Sequence, residues 1–587
     1  MRKAVAALSA AFFLVGTLPT SVSAEEHRFP SPVRHVIVIF DENISFDHYF
    51  ATYPKAQNNA GETPFKASPG TPAVNDLLTP LDPDKSFTPI RGLNLLTANP
   101  NGPKGSGAKF NGASATNPFR FRPTQAATAD QNHATKPEQT AYDNGKMDRF
   151  PRSTGNSAPP PSASAAVVAA HAKGTTMGYF DGNTVTALWN YAQHFVLFDN
   201  SYTSQFGPST PGAINLISGQ TNGIAANTNV LSSSGALLHT SHEVFDNQGG
   251  LTMIGDPDPL GDVCSNTSSD NVQMTGRNIG DLLNAKGITW GWFEGGFDLQ
   301  LVNPNGTTGC ARSNRNVVPG YGGALQPDYV DHHEPFQFYP STANPTHARP
   351  SSVSAIGHTY EADGVTRDPA NHQYDTQDFF TALRNGNLPA VSFLKPPSYQ
   401  DAHAGNSDPV DEQTFLVKAI NAVMNSRFWD ATAIFIAYDD SDGWYDHQMP
   451  PIVDPSFSSY VDVLNGPSVC DAGVQQGRRL TRTPLNGVRG KPVWGRCGYG
   501  TRIPLLVVSP LVDANVVDHT LTDQTSIIRF IEDNWLDGER IQPGGSYDSI
   551  AGDLTHVFKS HAPLPPSAAA SRALILDPSN GAIVGAK

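Results

Sequence analysis

Apolar residues fall along this chain in short, dense runs. Val36–Phe40 (VIVIF) and Thr432–Tyr438 (TAIFIAY) are continuous β-branched and aromatic stretches without polar alternation. That is the pattern of strands buried on both faces of a parallel sheet. Further apolar runs stand at Phe195–Phe198, Thr289–Phe293, Pro389–Leu394 and Ile503–Ser509. Helical spacing marks Val185–Phe195, Asn278–Ala285, Thr376–Arg384, Glu412–Trp429 and Thr522–Trp535, and another helix is expected to open at Pro211, with Ser209 and Thr210 just before it. This alternation predicts an α/β fold, a central and mostly parallel sheet flanked by helices. The connecting stretches are long. Tyr53–Arg122 reads as an excursion that covers the sheet edge, and Ser157–Ala165 (SAPPPSASA) as a surface loop. One large domain over 25–565 with long loop insertions is expected, followed by a loose, flexible tail over 566–587 where the chain turns small and polar.

The first residues change the picture. Met1-Arg2-Lys3 is a positive start, Ala4–Leu18 is apolar, and Val22-Ser23-Ala24 sets small residues before a cut. Residues 1–24 therefore read as a secretory signal peptide. With a single arginine and no twin-arginine pair, export before folding is expected. No other apolar run approaches the ~18 to 20 residues of a membrane span. The mature chain is expected outside the cytoplasm, periplasmic or secreted. Four cysteines suit that compartment. Sequential pairing, Cys264 with Cys310 and Cys470 with Cys497, is expected among the three connectivities; a zinc site is the other use, but no closely spaced pair supports it.

Composition narrows the classes. With 52 Gly, 48 Pro and only 16% charged residues, the chain is loop-rich and globular rather than disordered or coiled-coil. A net charge of −15 argues against a nucleic-acid partner, which would need a basic face.

The chemistry collects at strand ends. Asp41, Glu42 and Asn43 follow the first strand, and Asp439 and Asp440 follow the TAIFIAY strand. Open α/β sheets bind ligands at that end. If the two strands are neighbours, Glu42, Asn43, Asp439 and Asp440 converge, and hard oxygen donors suit one divalent metal ion. Acids that only cap the next turn are the plainer reading for either strand alone. Ser209 likewise reads first as a cap. The same position at a helix N-terminus also faces free N–H groups that hold phosphate, and a metal on its oxygen would activate a weak nucleophile. His133, His332 and His403 follow sheet elements, with Asp331 beside His332. His332 and His333 are adjacent and point apart, so at most one of them serves the same site. Trp444-Tyr445-Asp446-His447 are expected to support the acids from behind.

Taken in order, HVIVIFDENISFDHYF, GKMDRF, FGPSTPGAINLISG, DHHEPFQFY, NLPAVSFLKPP, YDDSDGWYDH and RCGYGTRIPLLVVSP resemble the bacterial phospholipase C and acid phosphatase (AcpA-like) phosphoesterase family, over about residues 32–540. The resemblance implies an alkaline-phosphatase-like fold and a hydrolase acting on phosphoric ester bonds. It implies metal ligands at Glu42, Asn43, Asp439 and Asp440, and a hydroxyl nucleophile at Ser209 that also touches the metal. It implies phosphate-contacting and proton-handling roles for His133, Asp331, His332 and His403. Many phospholipase members read Gly-Pro-Thr-Asp-Pro-Asn-Arg where this chain has Gly207-Pro208-Ser209-Thr210-Pro211-Gly212-Ala213, which looks closer to the acid phosphatase branch. The extra C-terminal β modules of haemolytic phospholipases C are not expected either. The expected activity is phosphate monoester hydrolysis, with His403 protonating the leaving alcohol. Phospholipase C action on a head-group diester is the rival, and a non-catalytic metal- or anion-binding protein the third reading. No obligatory protein partner is evident.

Overall fold

Eight strands make the central sheet of the computed structural model: β1 (His35–Asp41), β2 (Val196–Phe198), β3 (Trp290–Glu294), β4 (Gln373–Asp375), β5 (Val391–Lys395), β6 (Thr432–Tyr438), β7 (Leu505–Val508) and β8 (Val516–Asp518). Residues 30–101, 117–155, 165, 174–227, 240–314, 326–471, 474–475, 478–479, 483–558 and 565–586 are described. The expected signal peptide and nearly all of Ser157–Ala165 lie outside them. The spatial order is β4-β3-β5-β1-β6-β7-β2-β8. β7 alone runs against the others, pairing antiparallel with β6 and with β2, so the sheet is mostly parallel as expected.

β1 lies at the middle with parallel partners on both sides. It pairs with β6 from His35↔Thr432 to Asp41↔Tyr438, and with β5 from Val36↔Val391 to Ile39↔Leu394. Both edges are satisfied and both faces covered, which is why β1 is apolar from Val36 to Phe40 and β6 carries no charge before Asp439. The register sends Glu42-Asn43 and Asp439-Asp440 out side by side.

The helices are α1 (Phe46–Phe50), α2 (Thr135–Tyr142), α3 (Thr186–His194), α4 (Ser209–Ser218), α5 (Ile279–Lys286), α6 (Thr376–Asn385), α7 (Pro409–Met424) and α8 (Thr525–Trp535). Two side chains of β6 show that both faces are covered. The Phe435 ring meets Phe530 of α8 at 5.5 Å, and the Tyr438 hydroxyl donates to Glu412 of α7 at 2.6 Å. An odd spacing puts these residues on opposite faces of the strand. Helices α3 and α6 touch α7, while α4 touches α8 and α5.

Several element ends differ from expectation. α4 starts at Ser209, so Pro211 sits inside the first turn and Ser209 is the first helical residue rather than the cap. Proline is tolerated there because the first-turn N–H groups have no helical partner to lose. α7 starts at Pro409, where the Asp408 carboxylate accepts from Val410 and Asp411 N–H, and it ends at Met424. α8 starts at Thr525 because Thr522–Asp523 pairs with Ser201–Tyr202.

The expected loose tail is a correction. Pro566–Ala570 is helical, and Leu574–Leu576 pairs with Ile583–Ala586. Trp429 Nε1 donates to Ala569 O at 3.0 Å and Asn421 Nδ2 to Leu576 O at 2.8 Å, tying this segment to the α7 side. Both expected disulfides form, Cys264–Cys310 and Cys470–Cys497. Among the described residues no helix is long and apolar enough to cross a membrane.

Candidate functional site

At the carboxyl end of β1 and β6 the four expected oxygen-bearing side chains meet Ser209. Ser209 Oγ stands 3.0 Å from Glu42 Oε2, 3.1 Å from Asp440 Oδ2 and 3.4 Å from Asn43 Oδ1. Asp439 Oδ1 accepts from the backbone N–H of Asn43 at 2.9 Å and of Asp440 at 2.7 Å. Asn43 takes a positive φ of 59°, the bend that turns its amide back towards the acids. The plainer reading of Ser209 as a helix cap is not what forms, since Pro208 holds the cap position and Ser209 is the first helical residue.

The chemistry of this donor set can be tested against a cation. A hydroxyl has one proton, so Ser209 can donate to only one of its three acceptors. Asp439 Oδ2 is buried without a hydrogen-bond partner. Burial, and then Asp439, push the Glu42 and Asp440 carboxyls well up from the usual range. Asp439 is desolvated too, yet Lys395 and several donors hold it down. Three buried carboxylates with surplus lone pairs are costly unless a cation joins them. The residues fit a divalent ion with a preference for oxygen ligands.

α4 carries Ser209 into this cluster because Gly212 lets its backbone approach the end of β6. The α4 N-terminus is less open than the sequence suggests: Thr210 N–H donates to Asp256 Oδ1 at 2.9 Å.

The expected histidines divide into two groups. His133 and His403 stand together, ring centroids 6.3 Å apart. His133 Nδ1 is 3.1 Å from Asp442 Oδ1 and 3.4 Å from Asp130 Oδ1. Burial opposes its charge, but Asp440, Asp130 and Asp442 outweigh burial and hold the imidazole protonated. His403 Nδ1 is bonded to Ala404 O at 2.7 Å, and burial lowers its pKa. His332 lies among acids, 3.7 Å from Asp331 Oδ1 and 4.0 Å from Asp258 Oδ1. Burial works against its charge too, yet Asp331 and Asp256 raise it to about 8. Its neighbour His333 is the one that touches the acid cluster, with Nδ1 3.1 Å from Glu42 Oε1. Burial, then Lys395, hold His333 neutral.

Sequence reasoning gave Lys395 and Asp401 no place in the cluster and left open which of His332 and His333 faces it. Lys395 ends β5 and its ammonium contacts Glu42 Oε1, wholly buried. Desolvation would strip its proton, but Glu42, Asp439 and Asp401 together raise its pKa. Asp401 O accepts Glu42 N–H at 2.8 Å. The signal that could have found Lys395 is a lone charge at the end of an otherwise apolar strand, level with Phe40 one step beyond Ile39↔Leu394.

Behind the acids, Asp446 does the supporting work expected of its motif. Its carboxylate accepts from Arg502 Nε at 3.1 Å and from Asp47 N–H at 3.1 Å, while Arg502 Nη2 donates to Asp47 Oδ1 at 3.0 Å. The loops after β1 and β6 are thereby clamped to the residues that lead into β7. Beside Pro208 opens a cavity of about 500 Å³, lined by Asp130, His133, Lys136, His242 and Asp256 together with the apolar Ile254.

Residues 33–536 match the Phosphoesterase family. Non-hemolytic phospholipase C of Pseudomonas aeruginosa is 24% identical over 92% of this chain and 60% of its own length. Phospholipase C B of Mycobacterium tuberculosis is 30% identical over 32% of this chain and 33% of its own length. The chain thus spans less than two-thirds of the length of these curated relatives. Among solved structures, a protein in the alkaline phosphatase superfamily from Vibrio parahaemolyticus aligns with TM-score 0.26 at 12% identity, covering 77% of this chain and 78% of that one.

Proposed function

The chain belongs to the Phosphoesterase family, and from that premise we propose that it hydrolyses phosphate monoesters through a phosphoserine on Ser209. One observation carries this reading: the Ser209 hydroxyl lies 3.0 Å from Glu42 and 3.1 Å from Asp440, in a buried cluster of oxygen donors. Asp440 or Glu42 takes the hydroxyl proton as Ser209 Oγ attacks phosphorus and the ester P–O bond breaks. The leaving alcohol collects a proton from the His133–His403 pair. His133 is the better donor of the two, because its acidic neighbours hold it charged whereas burial lowers the pKa of His403; this transfers to His133 the role expected of His403. A water then attacks the phosphoserine, the P–Oγ bond breaks, and inorganic phosphate leaves. His332, charged through Asp331, faces the phosphoryl negative charge. A divalent ion bound by Glu42, Asn43, Asp439 and Asp440 would lower the Ser209 hydroxyl pKa and neutralise phosphoryl charge. Two disulfides agree with an exported protein.

The names of the relatives favour a second reading, phospholipase C action on a head-group diester. Both readings use Ser209. Acid quench during turnover of a phosphate ester, followed by peptide mass analysis, should find one phosphoryl group on the peptide carrying Ser209. Ser209→Ala should lose nearly all turnover with folding intact. A phosphoryl group elsewhere, or substantial turnover in the variant, overturns the assignment.

A further inference from the structure

The two oxygens of the Glu42 carboxylate look in different directions. Oε2 faces Ser209 at 3.0 Å, on the side of Asn43 and Asp440. Oε1 faces a second cluster, in contact with Lys395 Nζ and 3.1 Å from His333 Nδ1. Asp401 completes that cluster. It is fully buried; its Oδ1 accepts His403 N–H at 3.0 Å, and its Oδ2 has no hydrogen-bond partner. Glu42, His333 and Asp401 each offer a ligand atom within 4.8 Å of the other two. Two carboxylates and one imidazole, buried and convergent, form a donor set that divalent metals accept. The cation nearest this set is the Lys395 ammonium, delivered by the last residue of β5, which contacts Glu42 Oε1 and feels the charge of Asp401.

We propose that Lys395 is a built-in second cation: its ammonium fills a cation site made by Glu42 Oε1, His333 and Asp401, limits the protein to one exchangeable metal ion, and fixes Glu42 between the two positive charges. The inference rests on the metal reading of the Glu42–Asn43–Asp439–Asp440 cluster. An ammonium on a short tether suits such a post, because it cannot be chelated away and its single charge leaves Glu42 free to ligate through Oε2. Lys395 touches no reacting atom, so it acts as a positioning residue. Removing its charge leaves Glu42 and Asp401 as two carboxylates beside a neutral imidazole, and a divalent ion should then enter.

The test is Mn²⁺ stoichiometry of the full folded chain, read by elemental analysis and by electron paramagnetic resonance, with circular dichroism to verify folding. Wild type should stop at one equivalent at saturating Mn²⁺. Lys395→Met should rise to two, with the spin-coupled spectrum of ions that share the Glu42 carboxylate. Lys395→Met with Asp401→Asn should return to one, and Lys395→Arg should stay at one. A folded Lys395→Met protein holding one equivalent or fewer overturns the proposal, as does a double variant that still holds two. A second equivalent in wild type that Asp401→Asn removes also overturns it, whether or not Lys395→Met folds. No Mn²⁺ in wild type would instead sink the main metal site, a distinguishable result.

Discussion

Gly212 and Asp439 touch backbone to backbone: a Cβ built on Gly212 would lie 2.2 Å from the Asp439 carbonyl oxygen. The first turn of α4 is laid directly on the end of β6, and Ser209, three residues earlier, is held against Asp440 as a result. Gly212→Ala must push helix and strand apart. Overpacking of this kind costs about 1–3 kcal/mol. The variant should melt at a lower temperature and lose more than about tenfold in kcat, since small displacements of reacting groups are costly. Wild-type turnover in this variant would mean that the contact does not position Ser209.

The acid cluster predicts shared metal dependence. Glu42→Gln and Asp439→Asn, on different strands, should each lower both bound divalent metal and activity. A drop of more than about tenfold is expected, because even the outer partners of metal ligands are worth about 10–100-fold. Chelation of the wild type should abolish turnover, and adding metal back should restore it. Undiminished metal content in both variants would disprove a site shared by β1 and β6.

His332 predicts the alkaline limb of the pH profile. Burial disfavours its charge, but Asp331 and Asp256 outweigh burial and raise its pKa to about 8. The imidazolium is therefore present below that pH and lost as pH rises through it. If His332 meets the phosphoryl group as a cation, kcat/KM should fall through a limb near pH 8. His332→Gln should lower the plateau and remove the limb. A limb unchanged in the variant assigns it to another group.

How much of this was legible before the structure depended on which interactions are local. β1 and β6 were readable because a strand buried on both faces must be apolar throughout, so the acids that end it stand out. The meeting of Glu42 with Asp440 followed from those two strands being parallel neighbours. The start of α4 was misplaced because proline is tolerated anywhere in the first turn, and only tertiary contact shows that Ser209 is helical. Lys395 was invisible as a site residue because a lysine closing a strand ordinarily reaches solvent; the order β3-β5-β1 buries it against Glu42. The use of Thr210 N–H by Asp256 depends on a residue 46 positions away. The tail misled through composition, although Leu574 and Leu576 alternate inward around Ile575 as a half-buried strand should.

The choice between monoester and diester turns on the charge around Ser209. A monoester presents a dianion with three free oxygens, and a diester one charge fewer and a second bulky substituent. His133 and His332 are both held protonated by acids that lie beside them, so two cationic imidazoles stand at this end of the sheet. With a bound metal ion they would stabilise the dianion more strongly than a monoanion. The α4 N-terminus adds less, since Asp256 occupies Thr210 N–H. The cavity beside Pro208, at about 500 Å³, has room for an organic group of moderate size. p-Nitrophenyl phosphate should therefore be cleaved with a higher kcat/KM than p-nitrophenylphosphorylcholine, and the margin should shrink as His332 loses its proton above about pH 8. In His332→Gln the margin should be small at every pH. A wild-type preference for the choline ester, or for phosphatidylcholine vesicles, would reverse the assignment and make the diester the substrate this pocket serves.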